Sequence, residues 1–248
     1  MFETPVKMDT LAHSGWKIRR APDFRFARRA TNAPLTAAEM PLACRDLPIV
    51  FPSSGRLVPT AQLGVKKRLC AVIGDTGQWR ARYIPAHIRR YPFVLGETGA
   101  QGDYIVMIAS EALVEEGDGE VAFLDGKMPE GGVVEKGRDF LIGFEQALEK
   151  TARLCAPLRE HGVLVGRSAE LKHGDEAIGR ISGFEVVDTD KLHALDGRIL
   201  AQWVRSGLMQ LVDAHLVSLN NFQQLTDWHM HTVADEPRAG NEPETAAD

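Results

Sequence analysis

The sequence predicts an α+β fold in a single domain, with a mostly antiparallel sheet covered by two or three long helices. Two patterns support this prediction. The first half of the chain alternates short β-prone runs with turn residues, whereas the second half contains long segments with apolar residues at helical spacing. A chain of 248 residues with 44% hydrophobic and 25% charged residues has an ordinary globular composition. We assign residues 1–232 to this domain and interpret residues 233–248, rich in Ala, Glu and Pro, as a disordered tail.

The first half of the chain is predicted to form short elements. Residues 1–34 are irregular, although the alternation at residues 24–26 is typical of a short edge strand. Thr36 is a suitable N-cap for a helix that ends near residue 44, and Glu39 three residues later completes a capping box. Further strands are predicted at residues 48–51, 58–65, 93–95, 104–108 and 121–124, with a flexible connection at 96–102.

The clearest helix is predicted at residues 138–161, after a Pro/Gly-rich loop at 128–136. Gly162 is its natural C-cap, because glycine adopts the left-handed conformation without strain. The apolar stripe of this helix consists of Phe140, Phe144, Leu148, Thr151, Cys155 and Leu158.

The last part of the folded chain is predicted to contain two strands and then helices. The strands lie at residues 163–165 and 181–187, on either side of a polar loop at 168–179. Two helices follow, at residues 197–206 and from 208 to about 229, with a glycine between them. One long kinked helix is the alternative.

The segment at residues 77–93 is the densest candidate site. A turn at 74–77 predicts a hairpin of strands at 69–73 and 78–83, and a proline on each side frames a helix of about two turns after it. This segment is rich in arginine and aromatic residues, and arginine forks suit carboxylates and phosphates. The residues predicted to bind a ligand are Trp79, Arg80, Arg82, Tyr83, His87, Arg89, Arg90 and Tyr91.

The sequence supports two interpretations of these arginines. From Lys66 to Arg90 the only acidic residue is Asp75, so a local positive field arises inside an acidic protein and favours an anion site. Alternatively, the arginines pair with acidic residues from distant segments, as in structural ion pairs. The sequence alone leaves both interpretations open.

No catalytic residue is assigned, and His87 and His215 are the candidates for a general acid or base. His215 lies on the apolar stripe of the last predicted helix, where a core histidine bonded to a backbone carbonyl is the alternative. His229 and His231 are two residues apart, which a helix points in different directions, so no metal site is predicted. The common nucleotide-binding, serine-hydrolase and zinc-protease motifs are missing from the sequence, and no cofactor is predicted.

Composition limits the partners and the compartment. The formal net charge of −5 argues against a nucleic-acid partner. The three cysteines, Cys44, Cys70 and Cys155, are far apart, which favours buried thiols in a reducing compartment over a disulfide framework. The first twenty residues lack the apolar core of a secretory signal, and the sequence contains no run of eighteen apolar residues that would span a membrane. We therefore expect a cytoplasmic protein without a membrane span.

Four segments stand out as a set. They are Pro48-Ile-Val-Phe51, Tyr83-Ile-Pro-Ala-His-Ile-Arg-Arg-Tyr-Pro-Phe93, Gly183-Phe-Glu-Val-Val-Asp188 and Ala214-His-Leu-Val-Ser-Leu-Asn220. Together they resemble the bacterial SapC family over about residues 10–226. The resemblance implies a cytoplasmic protein whose family is named after a gene beside surface-layer loci. Members are often encoded beside TonB-dependent receptors and flavin-dependent halogenase-like genes. The family name brings no established mechanism and no assigned active site.

These observations lead to three hypotheses about function. The preferred one is a non-catalytic or accessory protein of surface-layer or outer-membrane uptake that recognises a small anionic ligand or a partner protein. The second is an enzyme that acts on an amino-acid or peptide substrate together with a flavin- or iron-dependent partner. The third is a regulatory protein. A homo-oligomer is compatible with all three.

Overall fold

The computed structural model describes residues 4–66, 68–97, 104–174 and 176–234. The strands are β1 (Pro5–Lys7), β2 (Lys17–Ile18), β3 (Asn32–Pro34), β4 (Ile49–Pro52), β5 (Thr60–Gln62), β6 (Phe93–Glu97), β7 (Tyr104–Ala109), β8 (Leu113–Val114), β9 (Glu120–Val121), β10 (Leu164–His173) and β11 (Glu176–Val187). The α-helices are α1 (Met40–Ala43), α2 (Ala86–Arg89), α3 (Val133–Glu160), α4 (Thr189–His193), α5 (Gly197–Ser206), α6 (Leu208–Ser218) and α7 (Phe222–Ala234). Short 3-10 turns lie at Arg25–Ala27, Ala37–Glu39, Ser110–Ala112 and Leu219–Asn221.

The strands form three antiparallel sheets, which confirms the α+β class and the antiparallel pairing. A central five-stranded sheet has the order β10-β11-β4-β5-β3, and two three-stranded sheets have the orders β1-β7-β6 and β8-β2-β9. The expected single sheet is thus divided between three.

The main hydrophobic core lies between the central sheet and the C-terminal helices. Helix α6 packs on β4 and β11, and α7 packs on β10. Phe51, Leu63, Leu158 and Leu208 are buried in this core, and a fully buried leucine typically contributes about 1.5–3 kcal/mol. A smaller core joins the two three-stranded sheets to the first half of α3, so the long helix connects both cores.

Helix α3 begins at Val133, five residues earlier than the sequence indicated, so the predicted loop at 128–136 ends sooner. Val134 is buried in the smaller core, and this contact extends the first turn although local residues favour a loop. The predicted C-terminal end is confirmed. Gly162 has φ +67, and the amides of Gly162 and Val163 bond carbonyls of the last helical turn.

The two helices predicted at the end of the domain are present, but the second of them is divided into α6 and α7. Gly207, with φ +83, separates α5 from α6, and a single 3-10 turn at Leu219–Asn221 separates α6 from α7. Helix α7 continues to Ala234, so the boundary of the predicted tail at residue 233 was set two residues too early. Residues 235–248 of that tail, and residues 98–102 of the predicted flexible connection, lie outside the described residues.

The predicted polar loop at 168–179 is wrong, because β10 and β11 form a long hairpin there. Gly174 takes φ +60 at its tip. Leu171 and Phe184 are buried, whereas Lys172, Arg180 and Ser182 between them are exposed. The main-chain pairing therefore outweighs the low β-propensity of this charged segment.

Two other strand predictions also fail. Residues 24–26 do not form an edge strand. Arg25–Ala27 form a 3-10 turn instead, in which Asp23 accepts the Arg25 amide at 2.8 Å and Ala27 is fully buried. The hairpin predicted at 69–83 is reduced to one bridge between Ile73 and Trp79.

The structure shows why that hairpin is not extended. The amide of Cys70 bonds the carbonyl of Arg28, and the amide of Ala71 bonds the carbonyl of Leu63, so the first predicted strand is bound to other segments. On the other side, the carboxylate of Asp46 accepts the main-chain N–H of Arg82.

Candidate anion-binding groove

Arg80 is a structural cation. Its Nη1 donates to the carbonyls of Trp228, at 2.7 Å, and Ala71, at 3.2 Å, and to the Thr232 hydroxyl at 3.0 Å. Its Nη2 lies 3.8 Å from a carboxylate oxygen of Asp75. These contacts fasten α7 to the remnant of the predicted hairpin.

Arg82 forms a forked ion pair with Asp46. The Arg82 guanidinium donates to Oδ1 at 2.7 and 3.0 Å, and its amide donates to Oδ2 at 2.8 Å. Burial alone would raise the pKa of Asp46, but the hydrogen bonds from Arg82 outweigh burial and hold that pKa below its ordinary value. The Asp46 side chain is 6% exposed, whereas that of Arg82 is 73% exposed, so this arginine combines an internal partner with an accessible outer surface.

Glu39 connects the capping box to the predicted binding segment. Its Oε2 accepts from the amide and the hydroxyl of Thr36, both at 2.9 Å, which confirms the predicted capping box. Its Oε1 accepts from the Tyr83 hydroxyl at 3.0 Å and the Ala86 amide at 2.7 Å. Arg89 continues this network, since its Nη2 donates to the Tyr83 hydroxyl at 3.3 Å.

His87 and Arg90 pack between α2 and α3. Burial, together with the positive charge of Arg90, lowers the pKa of His87 to about 3, and its ring centroid lies 6.4 Å from that of Phe144. Burial lowers the pKa of Arg90, and the negative charge of Glu145 acts in the opposite direction. A histidine with a pKa near 3 is a weak base at neutral pH, far from the value suited to general acid–base catalysis.

His215 links two strands of the central sheet. Its Nδ1 lies 2.8 Å from the carbonyl oxygen of Ile49, and its Nε2 accepts from the amide of Val187 at 3.1 Å. The ring is fully buried, which lowers its pKa to about 4 although the bond to Ile49 acts in the opposite direction. With both nitrogens bound to main chain, this ring has the geometry of the core alternative.

One cavity lies beside the segment from Arg19 to Arg29 rather than inside the predicted segment. It has a volume of about 610 Å³, and Tyr91 and the turn Ser110–Ala112 line its other side. We call it the arginine groove, because its lining includes Arg19, Arg20, Arg25, Arg28 and Arg29. Asp23 and Glu111 are the acidic residues in that lining.

Two of these arginines use their side chains to bond main-chain carbonyls. Arg19 Nη2 donates to the carbonyl of Glu111 at 3.2 Å, and Arg28 Nη2 donates to the carbonyl of Asp75 at 3.1 Å. Within the described ranges, neither forms a salt bridge. A guanidinium group has five N–H donors, so each retains donors and an uncompensated charge for a ligand.

Two other arginines of the groove are paired with carboxylates. Arg25 forms a salt bridge with Asp23 at 2.8 Å, and Arg20 forms one with Glu120 at 2.8 Å. The Arg20 side chain is 90% exposed, so that pair adds little stability. Arg19 and Arg28 are therefore the best placed to bind an anion.

A row of aromatic rings connects the arginine groove to the predicted binding segment. The ring centroids of Trp79 and Phe24 are 5.6 Å apart, those of Phe24 and Phe26 are 6.0 Å apart, and Phe26 stacks on Tyr91 at 3.9 Å. Burial, followed by the negative charge of Glu111, raises the pKa of Tyr91 to about 12. This tyrosine therefore stays neutral at physiological pH, and its hydroxyl donates to a carboxylate oxygen of Glu111 at 3.5 Å.

Two further cavities adjoin this aromatic row. One, of about 460 Å³, is lined by Arg89, Tyr91 and Lys136 among others, and the second, of about 400 Å³, is lined by Trp79. The structure thus brings Trp79, Arg89 and Tyr91 to cavity walls. Five of the predicted residues do not line any of these three cavities: Arg80, Arg82, Tyr83, His87 and Arg90.

Sequence reasoning missed the arginine groove, although its signal was present. Residues 19–29 contain five arginines and two phenylalanines but only one acidic residue. This density exceeds that of residues 77–93, which contain four arginines in seventeen residues. The alternation at residues 24–26 was interpreted as a short edge strand, and the arginines around it were given no function.

The described part of the chain contains neither a metal cluster nor a membrane helix. Among its residues, no three His, Cys, Asp or Glu side chains lie closely enough together to hold a metal ion. None of its helices is sufficiently long and apolar to cross a bilayer.

Comparison with known proteins gives one match. The family model described as SapC matches residues 8–225 of the 248-residue chain. No curated protein and no solved structure matches. Because the family model covers well over half of the sequence, the chain belongs to the SapC family.

Proposed function

We propose that this SapC-family protein is a non-catalytic accessory protein that binds a small anionic ligand in the arginine groove. The observation that carries the proposal is a cavity of about 610 Å³ with five arginines and two acidic residues in its lining. Such a concave, cationic cavity concentrates anions near its opening.

Arg19 and Arg28 carry the binding in this proposal. The side chains of both donate hydrogen bonds to carbonyl oxygens, and neither forms a salt bridge within the described residues. A carboxylate or phosphate of a ligand would therefore give each of them an anionic partner. A hydrogen bond to a charged group contributes about 1.5–3 kcal/mol. The stacked rings of Phe26 and Tyr91 form an apolar wall beside these charges, which suits a ligand that joins an anionic group to an apolar part.

The family resemblance supplies the biological setting of the proposal. A role in surface-layer or outer-membrane uptake, carried out in the cytoplasm, agrees with the neighbourhood in which such proteins are encoded. A protein partner that presents a carboxylate or phosphate would use the same groove.

The test is a calorimetric titration of the purified protein with inorganic phosphate and with succinate. Replacing Arg19 and Arg28 together by glutamine removes two cations and retains much of the side-chain length. We expect the double variant to bind at least about tenfold more weakly, because 1.4 kcal/mol corresponds to a factor of ten. Higher salt should also weaken binding to the parent protein.

Arg153→Gln is the matched control. Arg153 is an exposed arginine of α3 that pairs with Glu149 at 3.1 Å and lies outside the three cavities. Its loss changes the net charge by one unit but should leave the affinity unchanged. If the double variant binds either probe as tightly as the parent protein does, the proposal fails.

A further inference from the structure

The C-terminal helix ends close to the arginine groove. Near its end, α7 is held by Arg80, which donates to the carbonyl of Trp228 at 2.7 Å and to the hydroxyl of Thr232 at 3.0 Å. The helix ends two residues after Thr232, at Ala234.

A short path of contacts leads from this helix end to the groove. Arg80 Nη2 lies 3.8 Å from a carboxylate oxygen of Asp75. The main-chain oxygen of the same Asp75 accepts from Arg28 at 3.1 Å, and that of the neighbouring Thr76 accepts from Arg25 at 3.2 Å. Two residues, Arg80 and Asp75, therefore separate the end of α7 from the cations of the groove.

The chain that follows α7 has the opposite charge to the groove. Residues 235–248 contain five acidic residues and one arginine, which gives a formal charge of −4 out of −5 for the whole protein. A fourteen-residue segment can span at most about 50 Å when fully extended. This length is sufficient to reach from the end of α7 past Arg80 and Asp75 into the groove. A tethered segment of this kind acts at a high effective concentration.

We propose that residues 235–248 of this chain bind in the arginine groove and compete there with the anionic ligand. This inference rests on the proposed function, because it assigns an internal competitor to the same cavity. The acidic side chains of the segment pair with Arg19 and Arg28, and an external anion binds only when the segment leaves. If the segment occupies the groove in about 90% of molecules, the apparent affinity for an external anion falls about tenfold.

The main test uses a full-length variant with an uncharged segment. Replacing Asp235, Glu236, Glu242, Glu244 and Asp248 by the corresponding amides retains size and removes the negative charge of these side chains. We expect this variant to bind inorganic phosphate about tenfold more tightly than the parent. Exchanging every Asp for Glu and every Glu for Asp in the same segment is the control, and it should retain the parent affinity. Equal phosphate affinities in the parent and the uncharged variant would overturn the proposal.

A second measurement distinguishes binding in the groove from repulsion at a distance. A labelled synthetic peptide of residues 235–248 is titrated into the uncharged full-length variant, and its fluorescence anisotropy is measured. We expect the peptide to bind and to lose its affinity when Arg19→Gln and Arg28→Gln are added. A peptide that does not bind, or that binds equally without the two arginines, contradicts the inference.

The two proposals fail in different ways. If phosphate and succinate bind the groove but the uncharged segment changes nothing, the proposed function stands and the competitor does not. If neither anion binds even to the uncharged variant, the proposed function fails, and this inference fails with it.

Discussion

Replacing Glu39 should destabilise the protein more than replacing an exposed acidic residue, because this carboxylate is 5% exposed and accepts four hydrogen bonds. Two of its donors are hydroxyls, on Thr36 and Tyr83, and two are main-chain amides, of Thr36 and Ala86. In Glu39→Gln, the new NH₂ group faces one hydroxyl and one amide. The hydroxyl can rotate and accept, but the amide loses its acceptor.

The expected cost follows from that count. An unpaired buried donor costs about 1–3 kcal/mol, so Glu39→Gln should lower the free energy of unfolding by about 2 kcal/mol. Glu39→Ala leaves both amides without their acceptor, which gives a loss of about 4 kcal/mol at the same rate for each donor.

The assay is urea unfolding followed by tryptophan fluorescence at neutral pH. Glu149→Gln is the control, because Glu149 is about half exposed and forms an i,i+4 pair with Arg153 on α3. Such surface pairs contribute about 0.3–0.5 kcal/mol. If Glu39→Gln is as stable as Glu149→Gln, the carboxylate does not organise this region and the reasoning is refuted.

Three further predictions concern stability. The Asp46–Arg82 pair keeps the pKa of Asp46 below its ordinary value of 3.8, so the pair stabilises the protein at neutral pH and this stabilisation is lost as the pH falls below about 4. In urea titrations, the difference in the free energy of unfolding between the parent and Asp46→Asn should therefore become smaller from pH 7 to pH 3. A difference that stays constant over this range would contradict the prediction. Burial lowers the pKa of His215 to about 4. The free energy of unfolding of the parent should therefore fall by up to about 3 kcal/mol between pH 6.5 and pH 4, since each pKa unit corresponds to about 1.36 kcal/mol. His215→Gln should lack this contribution to the pH dependence of stability, and an unchanged pH dependence would argue against a neutral buried ring. An added methyl group would meet only open space both at Gly143, on the exposed face of α3, and at Gly207, which has φ +83. Because only Gly207 has the left-handed backbone that strains an alanine, thermal unfolding should show Gly143→Ala stabilised and Gly207→Ala destabilised, each by about 1 kcal/mol. Changes of the same sign in both variants would refute this explanation.

The elements that were predicted correctly are those whose signals are local. The Thr36–Glu39 capping box and the glycine at the end of α3 each need only a few neighbouring residues. The break at Gly207 also follows from one residue that takes the left-handed conformation. Local hydrogen bonding and backbone conformation determine these features, so a single sequence was sufficient.

The β10–β11 hairpin was missed because its stability comes from pairing and not from propensity. Its strands pair over Leu164↔Val187 through His173↔Glu176, with two register shifts. Several of its described side chains are charged and exposed, such as Arg167, Lys172 and Arg180, and such a composition without pairing is typical of a loop.

Three of the eight residues predicted to bind a ligand line the described cavities. Trp79, Arg89 and Tyr91 do reach cavity walls, but the arginine groove is built mainly on residues 19–29. Arg28 reaches a carbonyl at residue 75, and Arg19 reaches one at residue 111. Contacts across 47 and 92 residues leave no local pattern, so a single sequence cannot place these two cations in the lining of one cavity.

The most direct test of the anion-binding groove is an X-ray structure of crystals soaked in selenate, with the selenium located by anomalous scattering. Selenate is a tetrahedral dianion, so it is a suitable probe for a cavity lined by guanidinium groups. We predict a selenium site inside the arginine groove, within hydrogen-bond distance of Arg19 and Arg28. A selenium site beside the exposed guanidinium of Arg82, with an empty groove, would contradict the proposed function.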